Sequence, residues 1–547
     1  MFFITPVHKK GFDDKISEKS LAARREKRGK MEPKSVKGWE AIVWSMLVAL
    51  AVWIPAGAGG RPTDFQRSMS SSPTRLNPLL ATDSASAAIT DWIFDGLVKF
   101  DKNATIVPDL ADSWSFEDNT TLIFHLKKGV VWHDGKPFTA RDVKFTYEFM
   151  NSDKVVSPYK SDFKYVKEVK ILDDFTLEVH YTQPYFKALS IWMMGMLPAH
   201  LWVKEKDPMR SRLNKLPVGT GPYRMDKAFG INERIVLRAN KNYFFHAPHI
   251  RRQIYHYIGD PSTEFMMLKG GKLDIGSLSP LQLERQVGEA FKKRFVVYEL
   301  PSQSYTYLGF NLREGKFADP KVRRAIALGI DRQEIIDLLF FSHGSPCYGP
   351  FMPGSSVYPR DLKPEGYDPL AAKKLLREAG YDEAHPLEFT LVTNTGNDIR
   401  INAAQIIQQQ LLRIGVKMKI RTMEWQAFLN TVVFPHRFDA VLLGWSLSLI
   451  PDAYPIWHSD GDKKGGFNFV GYHNPEVDRL IEESEKLVDP EAFAEKYRKI
   501  FRLIVADHPY VFLYIPNSIT AVSRRIEGIE PSIIGIQHNF IDWKIKD

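Results

Sequence analysis

Thiols are almost missing from this chain: its 547 residues contain one cysteine, Cys347. One cysteine excludes an intramolecular disulfide and any metal site built on a cysteine cluster. It does not argue for a reducing compartment, because a protein made for an oxidising one can avoid thiols. Hydrolase signatures are also missing, with no His-Glu-x-x-His helix and no Gly-x-Ser-x-Gly elbow. Gly219-Thr220-Gly221 lacks the Gly-Lys-Ser/Thr ending of a phosphate loop. His125 and His133 straddle a hairpin without a carboxylate at ligand spacing and read as structural. Glu482, Glu483 and Glu485 read as a solvated helix face, not as paired catalytic acids. The residues offer no catalytic constellation, no cofactor motif and no metal site.

The chain also lacks internal repeats, low-complexity linkers and a strong charge bias over most of its length. Residues 1–58 carry 11 Lys+Arg against 6 Asp+Glu, which leaves 63 basic against 59 acidic residues in the rest. The basic excess belongs to the start of the chain, so no nucleic-acid surface is indicated. After that basic flank, Ala41 to Ile54 is apolar throughout, and its 14 residues fall short of the ~20 a membrane span needs. Ala56 and Ala58 then supply the small-x-small exit of a secretory signal peptide. Residues 1–58 are expected to be this leader, cleaved to expose Gly59; Met31 would begin one of ordinary length. The alternative is an uncleaved N-terminal anchor. No cysteine follows the apolar segment, which excludes a lipoprotein anchor.

What is present is an ordinary globular composition, 44% hydrophobic and 25% charged, long enough for two or more lobes each with its own core. Aromatics reach 12%, enough for large cores or a ring-lined cleft. Leu122 to Leu126 reads as a mostly buried strand, Val130 to Trp132 as a second, and Thr139 as the N-cap of a helix with Asp142 completing a capping box. Ala85 to Leu97 looks helical. Asp319-Pro320, Asp368-Pro369, Asn474-Pro475 and Asp489-Pro490 each open a helix by an Asx cap and a proline in the first turn. Strands at Leu387–Val392, Val416–Ile420 and Asp439–Trp445 alternate with helices, which means an α/β lobe. The strand ending at Trp445 delivers that ring to a polar, proline-containing loop running to Tyr454, a sensible cleft wall.

Between Leu110 and Met150 the residues Leu110-Ala111-Asp112-Ser113-Trp114, then Phe124, Leu126, Gly129, Val130, Trp132, Asp134 and Gly135, then Phe138-Thr139-Ala140 and Asp142-Val143 stand at fixed spacing. This stretch closely resembles the signature region of the family 5 extracellular solute-binding proteins, the peptide- and dipeptide-binding subunits of ABC importers. The resemblance implies a two-lobed periplasmic-binding-protein fold of type II, the Venus-flytrap, with an extra subdomain in the first lobe. It places the first lobe at 59–98, 207–303 and 509–547, the extra subdomain at 99–206 and the second lobe at 304–508. Pro217 to Tyr223 resembles the return into the first lobe.

In oligopeptide binders of this family, an aspartate three residues after the tryptophan pairs with the peptide's α-ammonium group. Ser448 stands there instead, and a hydroxyl cannot replace a charge-assisted bond. The loop is closer to relatives reading Asp-Pro-Asp-Pro-Tyr, altered here to Ile450-Pro451-Asp452-Ala453-Tyr454, so Asp452 could take the ammonium or simply form an Asx turn. Tyr307 and Asn311 resemble cleft-lining positions, and Gly309 replaces an acid found in some peptide binders. Tyr514 resembles a ligand-facing tyrosine of the returning strand; for each of these rings core packing is the alternative. The implied ligand set is Trp445, Ser448, Asp452, Tyr454, Tyr307, Asn311 and Tyr514. The implied function is capture of a peptide or similar-sized solute by a periplasmic monomer that delivers it to an ABC permease. The missing acids leave open an oligosaccharide, nickel chelate, haem or opine, and an anchored chain could instead be a ligand sensor.

Overall fold

A computed structural model of the chain describes residues 63–546 except 82, 156, 158, 231–232 and 464–465; the expected leader lies outside these. The architecture is organised by the strand Tyr510–Ser523, 14 residues long. Its first residues pair antiparallel with Ser304–Phe310, Tyr307 standing opposite Phe512. Its last residues pair antiparallel with Phe295–Pro301, from Pro301 opposite Asn517 to Phe295 opposite Ser523, and with Ile275–Ser277. The partners change at Pro516, which has no N–H to offer a ladder. Ser302 and Gln303 link the two partner strands, so the chain crosses here twice, in opposite directions.

One 12-stranded sheet results, with a half on either side of the crossing. In the first half Phe65–Met69 runs parallel to Arg252–Tyr257, and Ile235–Ala239 and Tyr223–Met225 follow. In the second half Glu388–Asn394 runs parallel to Lys417–Met423 and to Ala440–Ser446, which pairs with Ser304–Phe310. The α/β alternation and all four Asx-proline helices expected from the sequence are present, the helices at Pro320–Leu328, Pro369–Glu378, Pro475–Glu485 and Pro490–Asp507. Gly380 takes the left-handed backbone, φ 89°, just beyond the Pro369 helix, where a side chain would strain.

A separate four-stranded antiparallel sheet holds Ala111–Asp118, Thr121–Leu126, Thr176–Tyr181 and Val166–Asp173. The helix Ala140–Asn151 packs on it, and Asp142 accepts the Thr139 N–H at 2.9 Å as a capping box requires. Asp142 also accepts from Ala199 N and Trp132 Nε1, tying the helix start to two further segments. Val130–Trp132 does not become a strand; it makes one bridge, Val131 to Pro137. The expected helix Ala85–Leu97 stops at Thr90. The Trp92 and Ile93 carbonyls accept instead from Tyr223 and Gly221 N–H, both at 2.9 Å. A Cβ at Gly219 would lie 1.8 Å from the Ile93 oxygen, so only glycine permits this approach.

His133 locks the same turn. Gly219 N–H donates to its Nδ1 at 3.2 Å, which leaves the proton on Nε2 to be donated to the Gly221 carbonyl at 3.0 Å. Burial pushes this imidazole down from 6.5 to about 4. Above pH 6.5 the ring is neutral whether the chain is folded or not. As pH falls from 6.5 towards 4 the unfolded chain takes up a proton that the folded one refuses, so stability is lost across that window. His133→Phe should cost about 1–3 kcal/mol at neutral pH and flatten the decline between pH 6.5 and 4. Urea unfolding of both proteins at several pH values checks this; parallel pH curves would remove His133 from the account.

Candidate functional site

A cavity of about 1560 Å³ opens over the double crossing. Its floor is Leu300 to Gln303 and Ile515, the residues at which the strands change partners. One wall comes from Thr90, Asp91 and the segments around Tyr159–Phe163 and Ser190–Met194, the other from Leu447–Asp452 and Phe351–Ser356. Both halves of the molecule therefore face the same space, which is larger than the roughly 300–1,000 Å³ of ordinary small-molecule pockets.

The loop after the strand Ala440–Ser446 is held by its own polar groups. Leu447 N–H donates to the Gln303 carbonyl at 2.7 Å and Ile450 N–H to Ser448 Oγ at 3.2 Å. Asp452 Oδ1 accepts the Tyr454 N–H at 3.0 Å, the Asx turn foreseen as one of its two roles. Its Oδ2 already holds an ammonium group, Lys187 Nζ at 2.6 Å, and the same Nζ lies 3.2 Å from Asp162 Oδ1. Lys187 and Asp452 side chains retain only 15% and 17% of their exposure. Burial by itself would push the Lys187 ammonium towards neutrality; the Asp452 and Asp162 carboxylates outweigh it and hold its pKa above the usual lysine value.

Around this ion group the segment 164–187 docks on the second half. Phe186 stacks on Phe493 with centroids 4.9 Å apart. The Phe186 N–H donates to the Glu485 carbonyl at 3.0 Å, and the Glu485 carboxylate takes Tyr165 Oη at 2.9 Å and Lys164 Nζ at 3.2 Å. Across the cavity, Asp91 is exposed to the cavity space, and the protein crowded around it pushes its acid up to about 6.

The structure brings Ser448 and Asp452 to the cavity and places most of the other expected residues elsewhere. Trp445, 4% exposed, is packed between Phe469 and Tyr307, and its Nε1 donates to Tyr510 Oη at 3.3 Å. Tyr307 is fully buried and stacked on Tyr510 at 3.8 Å. Tyr514 is buried against Phe340. Asn311 donates to the Phe438 and His436 carbonyls and accepts from Arg313. Tyr454 stacks on His458 and donates to Asp460. Gly309 has no room for an acid: a Cβ there would lie 2.9 Å from the Tyr307 ring and 3.0 Å from Val470. Lys187 and Asp91 escaped the sequence reading. Their signal was a charge set inside an aromatic or apolar run, Tyr185-Phe186-Lys187-Ala188-Leu189 and Ile89-Thr90-Asp91-Trp92-Ile93.

A cavity shared by two α/β halves across a double crossing defines a two-lobed binding protein. Residues 105–467 match the bacterial extracellular solute-binding proteins, family 5 Middle, and the chain belongs to that family. It is 31% identical over 518 residues to the oligopeptide-binding protein AppA of Bacillus subtilis, with 88% of this chain and 94% of that one covered. The structure of that protein in complex with a nonapeptide superposes with a TM-score of 0.75 at 30% identity, covering 88% of this chain and 99% of that one. NikZ from Campylobacter jejuni in complex with Ni(L-His) gives a TM-score of 0.77 at 26% identity, covering 89% and 100%. DppA from Helicobacter pylori in complex with the peptide STSA gives 0.73 at 25%, covering 88% and 98%. The type II periplasmic-binding-protein fold expected from the sequence is the fold of this chain.

If Trp445 is a core residue, Trp445→Ala should cost about 3–5 kcal/mol in urea unfolding, while Ser448→Ala at the cavity should stay within about 0.5 kcal/mol. An unchanged midpoint for Trp445→Ala would return that ring to the ligand surface.

Proposed function

We propose that this chain is the exported substrate-binding subunit of an ABC importer and that its solute is a peptide. The observation that carries this is the size and placement of the cavity, about 1560 Å³ and lined from both halves, together with a relative named for oligopeptides whose structure is in complex with a nonapeptide. A ligand that touches both walls gains its full contact energy only when they are close, so binding shifts the population towards closure. The double crossing at Leu300–Gln303 and Ile515–Pro516 is the hinge, and a permease at the membrane reads the closed shape. In this reading residues 1–58 are removed on export to the periplasm, 59–98, 207–303 and 509–547 form the first lobe, 99–206 its added subdomain and 304–508 the second, and the protein works as a monomer without catalytic residues or a resident cofactor.

A second reading keeps the role and changes the solute. The NikZ complex holds a nickel–histidine chelate in the same fold, and Ser448 and Gly309 stand where peptide binders of the family carry acids. Native mass spectrometry of the secreted protein, followed by denaturation and sequencing of what is released, should yield peptides of several residues and an N-terminus at Gly59. A released metal chelate or sugar would replace the peptide and leave the fold-level role standing. Small-angle scattering should show a smaller radius of gyration on ligand addition.

A further inference from the structure

Among the described residues, the charged side chains that line the cavity are Asp91, Asp162, Lys187 and Asp452. Carboxylates outnumber the cation, and that cation is committed: Lys187 Nζ lies 2.6 Å from Asp452 and 3.2 Å from Asp162. The Asp91 carboxylate has no hydrogen-bond or ion-pair partner among the described residues. Tyr159 lies close enough to feel both Asp91 and Asp162, yet its hydroxyl is given to the Ala81 carbonyl and cannot satisfy either acid. Ala87 and Pro78 add apolar wall nearby. A carboxylate that faces the cavity and is left unpaired is the place where a ligand's cation can form a charge-assisted hydrogen bond.

We propose that the cavity selects a ligand bearing an ammonium or guanidinium group, that Asp91 receives this group, and that Lys187 directs it there by occupying Asp162 and Asp452. Lys187 is an ammonium group of the protein's own, seated where the loop aspartate would otherwise take one from the ligand. With that acid filled and no uncommitted cation on the walls among the described residues, a ligand brings positive charge to the first-lobe side. A peptide can supply it from its α-ammonium group or from a lysine or arginine side chain. The inference rests on reading this cavity as the ligand site.

Calorimetric titration of the secreted protein with three C-terminally amidated tetrapeptides tests it: one of alanine with a free amino group, one N-acetylated with a single lysine, and one N-acetylated of alanine only. The cationic peptides should bind roughly tenfold to hundredfold more tightly than the neutral one, and whichever of them binds more tightly identifies the source of the charge. Asp91→Asn should erase the difference, Asp91→Glu should keep it, and Lys187→Met, by freeing Asp162 and Asp452, should widen it. Thermal melts of each variant confirm folding. Equal binding of all three peptides, or a preference that survives Asp91→Asn, overturns the proposal and leaves the peptide reading intact. Asp91-dependent binding of spermidine with no peptide binding upholds the charge selection and overturns the peptide. Binding of neither overturns both.

Discussion

A long strand has to satisfy its backbone donors and acceptors along its whole length, and Tyr510–Ser523 does so with two sets of neighbours. Ser304–Phe310 serves one end, Phe295–Pro301 and Ile275–Ser277 the other. Everything else follows from that division. Each half of the sheet grows outward from its own end of the strand, each builds its own core, and the space left over the changeover becomes the cavity. The site is thus the place where two hydrogen-bonded systems meet, and its floor is made of the residues that belong to both.

The polar groups around the cavity are arranged by the same logic. Segment 164–187 reaches the second half through a partly buried aromatic stack and a group of charge-assisted bonds, two at Glu485 and one at Asp452. Exposed ion pairs contribute little, but Lys187 and Asp452 are largely shielded, and removing one partner would strand the other as an uncompensated charge. Stability and selectivity are therefore coupled at this point: the bond that holds the walls together also decides which acid is left for a ligand.

Much of the fold was legible in the sequence because its signals are local. An Asx cap before a proline commits the next turn to helix whatever surrounds it, and four such pairs open four helices. The signature stretch around Trp132 and Asp142 identified the family on side-chain spacing alone. Where the reading strayed, a contact remote in sequence had intervened. Ala85–Leu97 has helical periodicity, yet the carbonyls of Trp92 and Ile93 are claimed by residues 221 and 223. The candidate site was read less well for a related reason. Trp445, Tyr307 and Tyr514 sit on strands whose alternate faces are both buried, so period alone cannot tell a ring that walls a cleft from one that fills a core. Asp452 was found from its loop, but the lysine that pairs with it lies 265 positions away, and no local pattern joins them.

Pro516 gives the crossing a mechanical character. A ladder with a donor at every position resists shear and torsion as a unit, whereas the proline removes one rung where the partners change. In the proposed closure, rotation of one lobe against the other concentrates where Pro516 offers the ladder only its carbonyl, which accepts the Ser302 N–H at 3.0 Å. In that closure the crossing would act less like a plate that must bend than like a seam along which two plates turn, which would keep both cores rigid while the cavity between them opens and shuts.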